Sequence, residues 1–226
     1  GDALSVTVTN DSTVPSVSGV SSTNGDNSYG IGGVIAIQVQ FSESVTVTGT
    51  PQLTLETGST DRFAEYVSGT GTDTLTFNYT VQSGDNSTDL DYTGTTSLSL
   101  NSGTIQDAAG NNATLTLVTP GATNSISDNQ AIVIEAVAPT ITDQAADAGT
   151  KIITLTTSEA VTGTPNTTDF TVLMNGVGNT VTKARVLGTS ITLTLTNAIS
   201  NNETLTVDYS KAAGKEISDT AGNELL

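Results

Sequence analysis

The sequence predicts an all-β chain built as two antiparallel β-sandwiches in tandem, and three observations predict it. Thr, Ser, Val, Gly and Asn dominate the 226 residues, while good helix formers are sparse. Apolar and polar residues alternate in run after run, the period of two that turns one side chain to a core and the next to water. A set of landmarks also occurs twice, in the same order and at similar spacing, as a duplicated domain requires.

The elements follow in order. Residues 3–9 (ALSVTVT) put Leu4, Val6 and Val8 on one face of a strand and Ser5, Thr7 and Thr9 on the other. Residues 34–40 (VIAIQVQ) and 74–81 (TLTFNYTV) are expected as long strands of the first sandwich, and 131–135 (AIVIE) as its short last strand. Residues 152–156 (IITLT), 191–195 (ITLTL) and 204–209 (TLTVDY) are the corresponding strands of the second. Stretches rich in Gly, Asn, Asp and Ser turn the chain between them. Helical turns are expected only at residues 107–109 and 210–213.

The duplicated landmarks locate the domains. Ser42-Glu43-Ser44-Val45, followed by Thr48-Gly49-Thr50-Pro51, matches Ser158-Glu159-Ala160-Val161, followed by Thr162-Gly163-Thr164-Pro165. An Asp-x-Ala-Gly-Asn motif follows the Glu by 64 residues at Asp107–Asn111 and by 60 at Asp219–Asn223. An acid precedes a proline by four residues in each copy, Asp11 before Pro15 and Glu135 before Pro139. These spacings give domains at 11–135 and 136–226, joined by a short, proline-bearing and therefore stiff linker. In the first copy the Asp-x-Ala-Gly-Asn loop leads to the strand at 131–135 and then to Pro139. Read from tail to head, the second loop leads into residues 3–9 and then Pro15, with Val8 and Ile132 each seven residues before their prolines. Residues 1–10 are thus expected to be the last strand of a preceding unit's domain, and 136–226 a domain completed by the next unit's strand.

The motifs FSESVTVTGTPQLTLETG, TLTFNYTVQSGD and GTIQDAAGN resemble one widespread subtype of bacterial immunoglobulin-like repeat from large secreted proteins. SEAV, DFTVLMNG and DTAGNELL resemble a related subtype of cyanobacterial cell-surface proteins. Nearly the whole chain is similar to these Big/SwmB-type tandem repeats of giant surface proteins and adhesins. The resemblance implies immunoglobulin-like sandwiches and an extracellular or cell-surface location. It implies little about activity, because the fold hosts many roles.

Composition narrows the function. Six Lys and Arg against 23 Asp and Glu leave a formal net charge of −17, which repels nucleic acid and anionic membrane. Such a surface suits salty water and attracts divalent cations. His, Cys and Trp are absent, which removes the commonest catalytic bases, the thiol nucleophile and the soft-metal ligands. No apolar run approaches the roughly 18 residues of a membrane span, and no signal peptide is recognised.

The acids are the best chemical constellation. In such a sandwich the second strand returns to the pole that the first strand leaves, and the loop before the last strand lies there too. Asp11, Glu43, Asp107 and Asn111 are therefore expected to converge, as are Glu135, Glu159, Asp219 and Asn223. Carboxylates with an amide and nearby carbonyls form a hard-oxygen site suited to Ca²⁺. The competing reading gives the same residues loop work: Asp107 in an Asx turn, the Glu as a loop cap, and Gly110 supplying a positive φ. No carboxylate pair is marked for glycoside hydrolysis, and the chain is expected not to be an enzyme. Tyr29, Tyr66, Tyr79, Tyr92 and Tyr209 fall in strand patterns and are expected in or beside the core rather than as a glycan platform. The Thr-x-Thr runs are broken by irregular loops and read as ordinary outer-face strand residues, not an ice-binding array. The Asn-x-Ser/Thr sequons at Asn10, Asn78, Asn86, Asn112, Asn166 and Asn202 are what this much Ser and Thr produces by chance.

The expected function is a structural repeat unit of an extracellular filament or cell-surface rod. Its copies join head to tail through Leu4, Val6 and Val8, either as consecutive repeats of one polypeptide or as separate subunits that donate the strand. The alternative is an adhesin segment that binds a glycan or a surface protein through its loops.

Overall fold

The structure is a computed structural model that describes residues 11–211 and 216–226. The chain is nearly all β and forms several antiparallel sheets. It divides into two compact units between Glu135 and Ala136.

In the first unit the strands are β1 (Val17–Ser22), β2 (Asn27–Tyr29), β3 (Val34–Thr48), β4 (Gln52–Leu55), β5 (Arg62–Ser68) and β6 (Thr72–Thr80). They are followed by β7 (Asn86–Ser87), β8 (Leu98–Ser99), β9 (Thr104–Gln106), the helical turn α1 (Ile126–Asn129) and β10 (Ile132–Glu135). One sheet runs β1-β3-β6-β5-β4-β8, with β9 added to the far end of β3; the other runs β2-β10-β7. The alternating runs become alternating burial: Ile35, Ile37 and Val39 of β3 and Leu75, Phe77 and Tyr79 of β6 are buried. In β10, Ile132 and Ile134 are 0% exposed. Tyr79 and Tyr92 lie in the core, and Tyr29, Tyr66 and Tyr209 are half-buried.

An ion pair reaches into the core through its carboxylate. Asp85, buried among apolar strands, accepts hydrogen bonds from Arg62 Nε (2.9 Å), the Tyr79 hydroxyl (2.7 Å) and the Gln82 N–H (2.9 Å). Burial, and then the bond to Asp85, pushes the Tyr79 phenol well above its ordinary pKa.

The second unit contains β11 (Ile141–Ala146), β12 (Ile152–Thr157), a 3₁₀ turn (Thr167–Asp169), β13 (Phe170–Met174), β14 (Val177–Gly178), β15 (Val181–Leu187), β16 (Ser190–Leu195) and β17 (Leu205–Tyr209). Its sheets run β11-β12-β16-β15 and β14-β13-β17. One hydrophobic cluster draws on both, with Ile153, Leu155, Ile191 and Leu193 from the first sheet and Phe170 and Val172 from the second. Leu205, Val207 and Tyr209 of β17 pack against that cluster but stay only partly buried.

Three details depart from the sequence-based expectation. The sheets are not wholly antiparallel, because β10 pairs parallel to β2 (Ile132↔Asn27 to Ile134↔Tyr29) and antiparallel to β7. A parallel neighbour needs a long connection, and here nearly the whole unit separates the two strands. Residues 107–109 form a turn rather than a helix, and Ser210 and Lys211 are irregular, with residues 212–215 outside the described set. The α-helical turn lies instead at Ile126–Asn129, capped by Ser125, whose Oγ accepts from the Asp128 N–H. The cap motif Ser125-x-x-Asp128 was the available signal.

Candidate functional sites

In the first unit Asp11, Glu43 and Asp107 each offer a carboxylate oxygen, and these oxygens lie within 4.8 Å of one another. Three local structures place them. Glu43 sits in β3 where the ladder to β6 is irregular, between Gln40 and Val45, and just before β3 changes partner to β9. Such an interruption re-aims a side chain that regular pleating would fix. Asp107 lies in the loop after β9. Its Oδ1 accepts from the Ala109 and Asn111 N–H groups (both 2.8 Å), and its Oδ2 accepts from Asn111 Nδ2 (2.7 Å). Gly110, at φ 88°, closes this loop in a conformation that other residues rarely adopt. Asn111 Nδ2 also donates to the main-chain carbonyls of Asp11 (3.2 Å) and Thr13 (3.1 Å), and so ties the entering chain to the loop.

The three carboxyls are not equivalent. Burial pushes the Asp107 carboxyl up, but the hydrogen bonds from Asn111, Ala109 and Gly110 outweigh it and hold the group below its ordinary value. Glu43 goes the other way: desolvation, then the charges of Asp11 and Asp107, raise it. Its Oε1 is buried without a hydrogen-bond partner among the described residues. An anionic oxygen with no donor, facing two further carboxylates, is a poor arrangement for the protein alone and a good one for a hard cation.

The second unit repeats the loop. Asp219 Oδ1 accepts from the Asn223 N–H (2.8 Å) and Oδ2 from Asn223 Nδ2 (2.7 Å), with Gly222 at φ 92°. Carboxylate oxygens of Glu159 and Asp219 lie within 4.8 Å of each other. Burial, and then Asp219, raise the Glu159 carboxyl. Glu135 is the last residue of β10 and belongs to the first unit. The units also match at their entrances. The Ser16 N–H donates to Ser42 Oγ and the Ser42 N–H to the Ser16 carbonyl; Thr140 and Ser158 make the same pair of bonds.

A second candidate site lies beside the strand at 204–209, where the sequence predicts an apolar slot in the second domain. Among the described residues β17 pairs only with β13 and is the edge of its sheet. All six residues of β11 are exposed, although β11 pairs with β12. Between them runs an apolar groove of about 210 Å³, lined by Gln144, Ala145, Ala146, Ile153, Leu205 and Val207. Val207 and Gln144 also line a neighbouring, more polar depression with Ile141, Thr142, Asp143 and Leu155. Leu4, Val6 and Val8, the expected assembly strand, lie outside the described residues.

Among the described residues no helix is long and apolar enough to cross a membrane. Residues 159–214 match a family model, SWM_repeat, described as "Putative flagellar system-associated repeat". That is a likeness to a repeat family of surface- or flagellum-associated proteins over part of the second unit. No curated protein matches the chain.

Proposed function

We propose that this chain is a structural repeat unit of an extracellular filament or cell-surface rod, and not an enzyme. Its two units are immunoglobulin-like sandwiches, and residues 3–9 of each copy enter the groove of a neighbouring copy's second unit. The carrying observation is the contrast between the two units. In the first, β10 fills the position between β2 and β7 and buries Ile132 and Ile134 completely. In the second, the corresponding position beside β17 is a groove with an apolar floor. An open edge over apolar side chains favours addition of a strand, which makes backbone hydrogen bonds and fills side-chain pockets together. The likeness to a surface- or flagellum-associated repeat supports the location.

Deleting residues 1–10 tests this reading by electron microscopy. On this reading the native chain should give uniform fibres whose axial repeat is one two-unit copy, and the deletion should give none. Normal fibres from the deletion, or a native chain that binds a glycan selectively as a monomer, would end the proposal.

The acidic poles fit the same role. Ca²⁺ held by Asp11, Glu43 and Asp107 would give the buried Glu43 Oε1 its missing partner and fix the chain where it enters the first unit. In the second unit Glu159 and Asp219 would serve in the same way. Calorimetry should show Ca²⁺ binding that Glu43→Gln weakens. Absence of binding, together with unchanged melting in chelator, refutes the metal and leaves the loop hydrogen bonds as the whole purpose of the cluster.

A further inference from the structure

We infer that the entering strand seats Val6 and Val8 where the first unit has Ile132 and Ile134, which makes the joint between copies two residues longer than the joint within the chain. The inference rests on the strand-joining reading above and specifies its register.

The two units supply the frame. Tyr92 bridges Leu55, and the Thr93 N–H donates to the Thr54 carbonyl (3.2 Å). Tyr209 pairs with Phe170, and the Ser210 N–H donates to the Asp169 carbonyl (2.7 Å). Tyr209 therefore stands where Tyr92 stands, and Val207 where Leu90 stands. In the first unit the Leu90 N–H donates to the Ile132 carbonyl (2.8 Å). An entering strand that takes the place of β10 thus receives a hydrogen bond from the Val207 N–H and runs antiparallel to β17, as β10 runs to β7.

Counting back from the prolines pairs Val8 with Ile132 and Asn10 with Ile134. That register puts an amide where the first unit buries an isoleucine completely, and a buried amide without partners is costly. Moving the strand by two residues keeps its faces unchanged, because the side-chain period is two. Val6 and Val8 then take the two buried positions. Thr7 and Thr9 fall at Val133 and Glu135, which are only partly buried. Leu4 falls at Gln130, whose side-chain carbonyl accepts from the Ser22 N–H at the edge of the first unit. Val8 then lies seven positions before Pro15, against five for Ile134 before Pro139. The second unit also has no counterpart of β2 among the described residues. The joint between copies therefore has one backbone ladder where β10 has two, and a longer linker.

The test uses fluorescent peptides of residues 2–12, mixed in excess with the full chain during refolding from denaturant, so that the peptide competes with the chain's own heads. The native peptide should bind saturably. Val6→Asp and Val8→Asp in the peptide should each weaken binding roughly tenfold or more, and Asn10→Asp by less than about twofold. If Asn10→Asp weakens binding as Val8→Asp does while Val6→Asp is neutral, the proline-counted register is right and strand joining survives. If the native peptide does not bind and chains lacking residues 1–10 still form arrays, strand joining itself fails.

Discussion

The two units share landmarks, entrance hydrogen bonds and an acidic loop, yet one is closed where the other is open. In the first, β10 lies between β2 and β7 with both isoleucines fully buried. In the second, β17 is an edge strand among the described residues, its apolar side chains are partly exposed, and β11 beyond the groove is exposed along its length. The repeat sequence sets the pole chemistry in both units. What differs is that β10 lies beside β7 in the first unit, whereas among the described residues β17 of the second pairs only with β13. In the proposed reading, the position that β10 fills in the first unit receives a neighbouring copy's strand in the second.

The comparison is broken most severely by spoiling β10. Ile134→Asp buries a carboxylate at a fully enclosed position and should cost the first unit more than about 4 kcal/mol, leaving it as open as the second. Two-transition calorimetry should show the first unit's melt lost and the second unit's unchanged. A smaller effect is expected from Asp85→Ala, which removes the acceptor of the buried Tyr79 hydroxyl and of the part-exposed Arg62 and should cost about 2–4 kcal/mol in chemical denaturation of the first unit alone. Matched changes in the two loops sharpen the likeness rather than the difference. Asn111→Ala and Asn223→Ala each remove the amide that holds the loop aspartate and should each cost about 1–3 kcal/mol, one in each unit's transition.

The smallest effect is the most diagnostic for the pole. The Glu43 carboxyl is raised above 4.5 by desolvation and by Asp11 and Asp107. Folding therefore favours its protonated form. Its contribution to stability is complete below the unfolded value and is lost as pH rises through the folded one. In chelator, Glu43→Gln should remove this part of the pH profile, and at neutral pH its first unit should melt slightly above the native one. Added Ca²⁺ should reverse that order. A variant that melts below the native chain in chelator contradicts the assignment.

Much of the architecture was legible because alternation is a direct consequence of a strand with one wet face. The runs at 34–40, 74–81, 152–156, 191–195 and 204–209 coincide with β3, β6, β12, β16 and β17 to within a few residues, apart from the extension of β3 to Thr48. That extension was hidden because β3 passes an irregular stretch and changes partner, which alternation does not reveal. The parallel ladder of β10 with β2 was hidden for a similar reason, since Asn27-Ser28-Tyr29 carries no apolar pattern of its own. The convergence of Asp11, Glu43 and Asp107 could be anticipated because the pole collects whatever the returning strand and the last loop bear. The hydrogen bonds of Asn111 to the carbonyls of Asp11 and Thr13, and the partnerless Glu43 oxygen, depend on side-chain directions that spacing does not fix. The repeat pattern predicts an open slot beside residues 204–209 but does not specify the lining of the groove. Its lining of Ala145, Ile153, Leu205 and Val207 reads as ordinary strand sequence, and only its open edge distinguishes it.

The central claim, that a neighbouring copy's strand completes the second unit, is tested most directly by amide hydrogen exchange at Val207. Its N–H is the counterpart of the Leu90 N–H, which donates to Ile132 in the closed unit. Strand joining predicts that the Val207 amide exchanges slowly in the assembled native chain. Deleting residues 1–10 should make it exchange at least about tenfold faster, while amides of β12 and β16 in the same unit keep most of their protection. Equal exchange at Val207 in the two proteins would contradict the account.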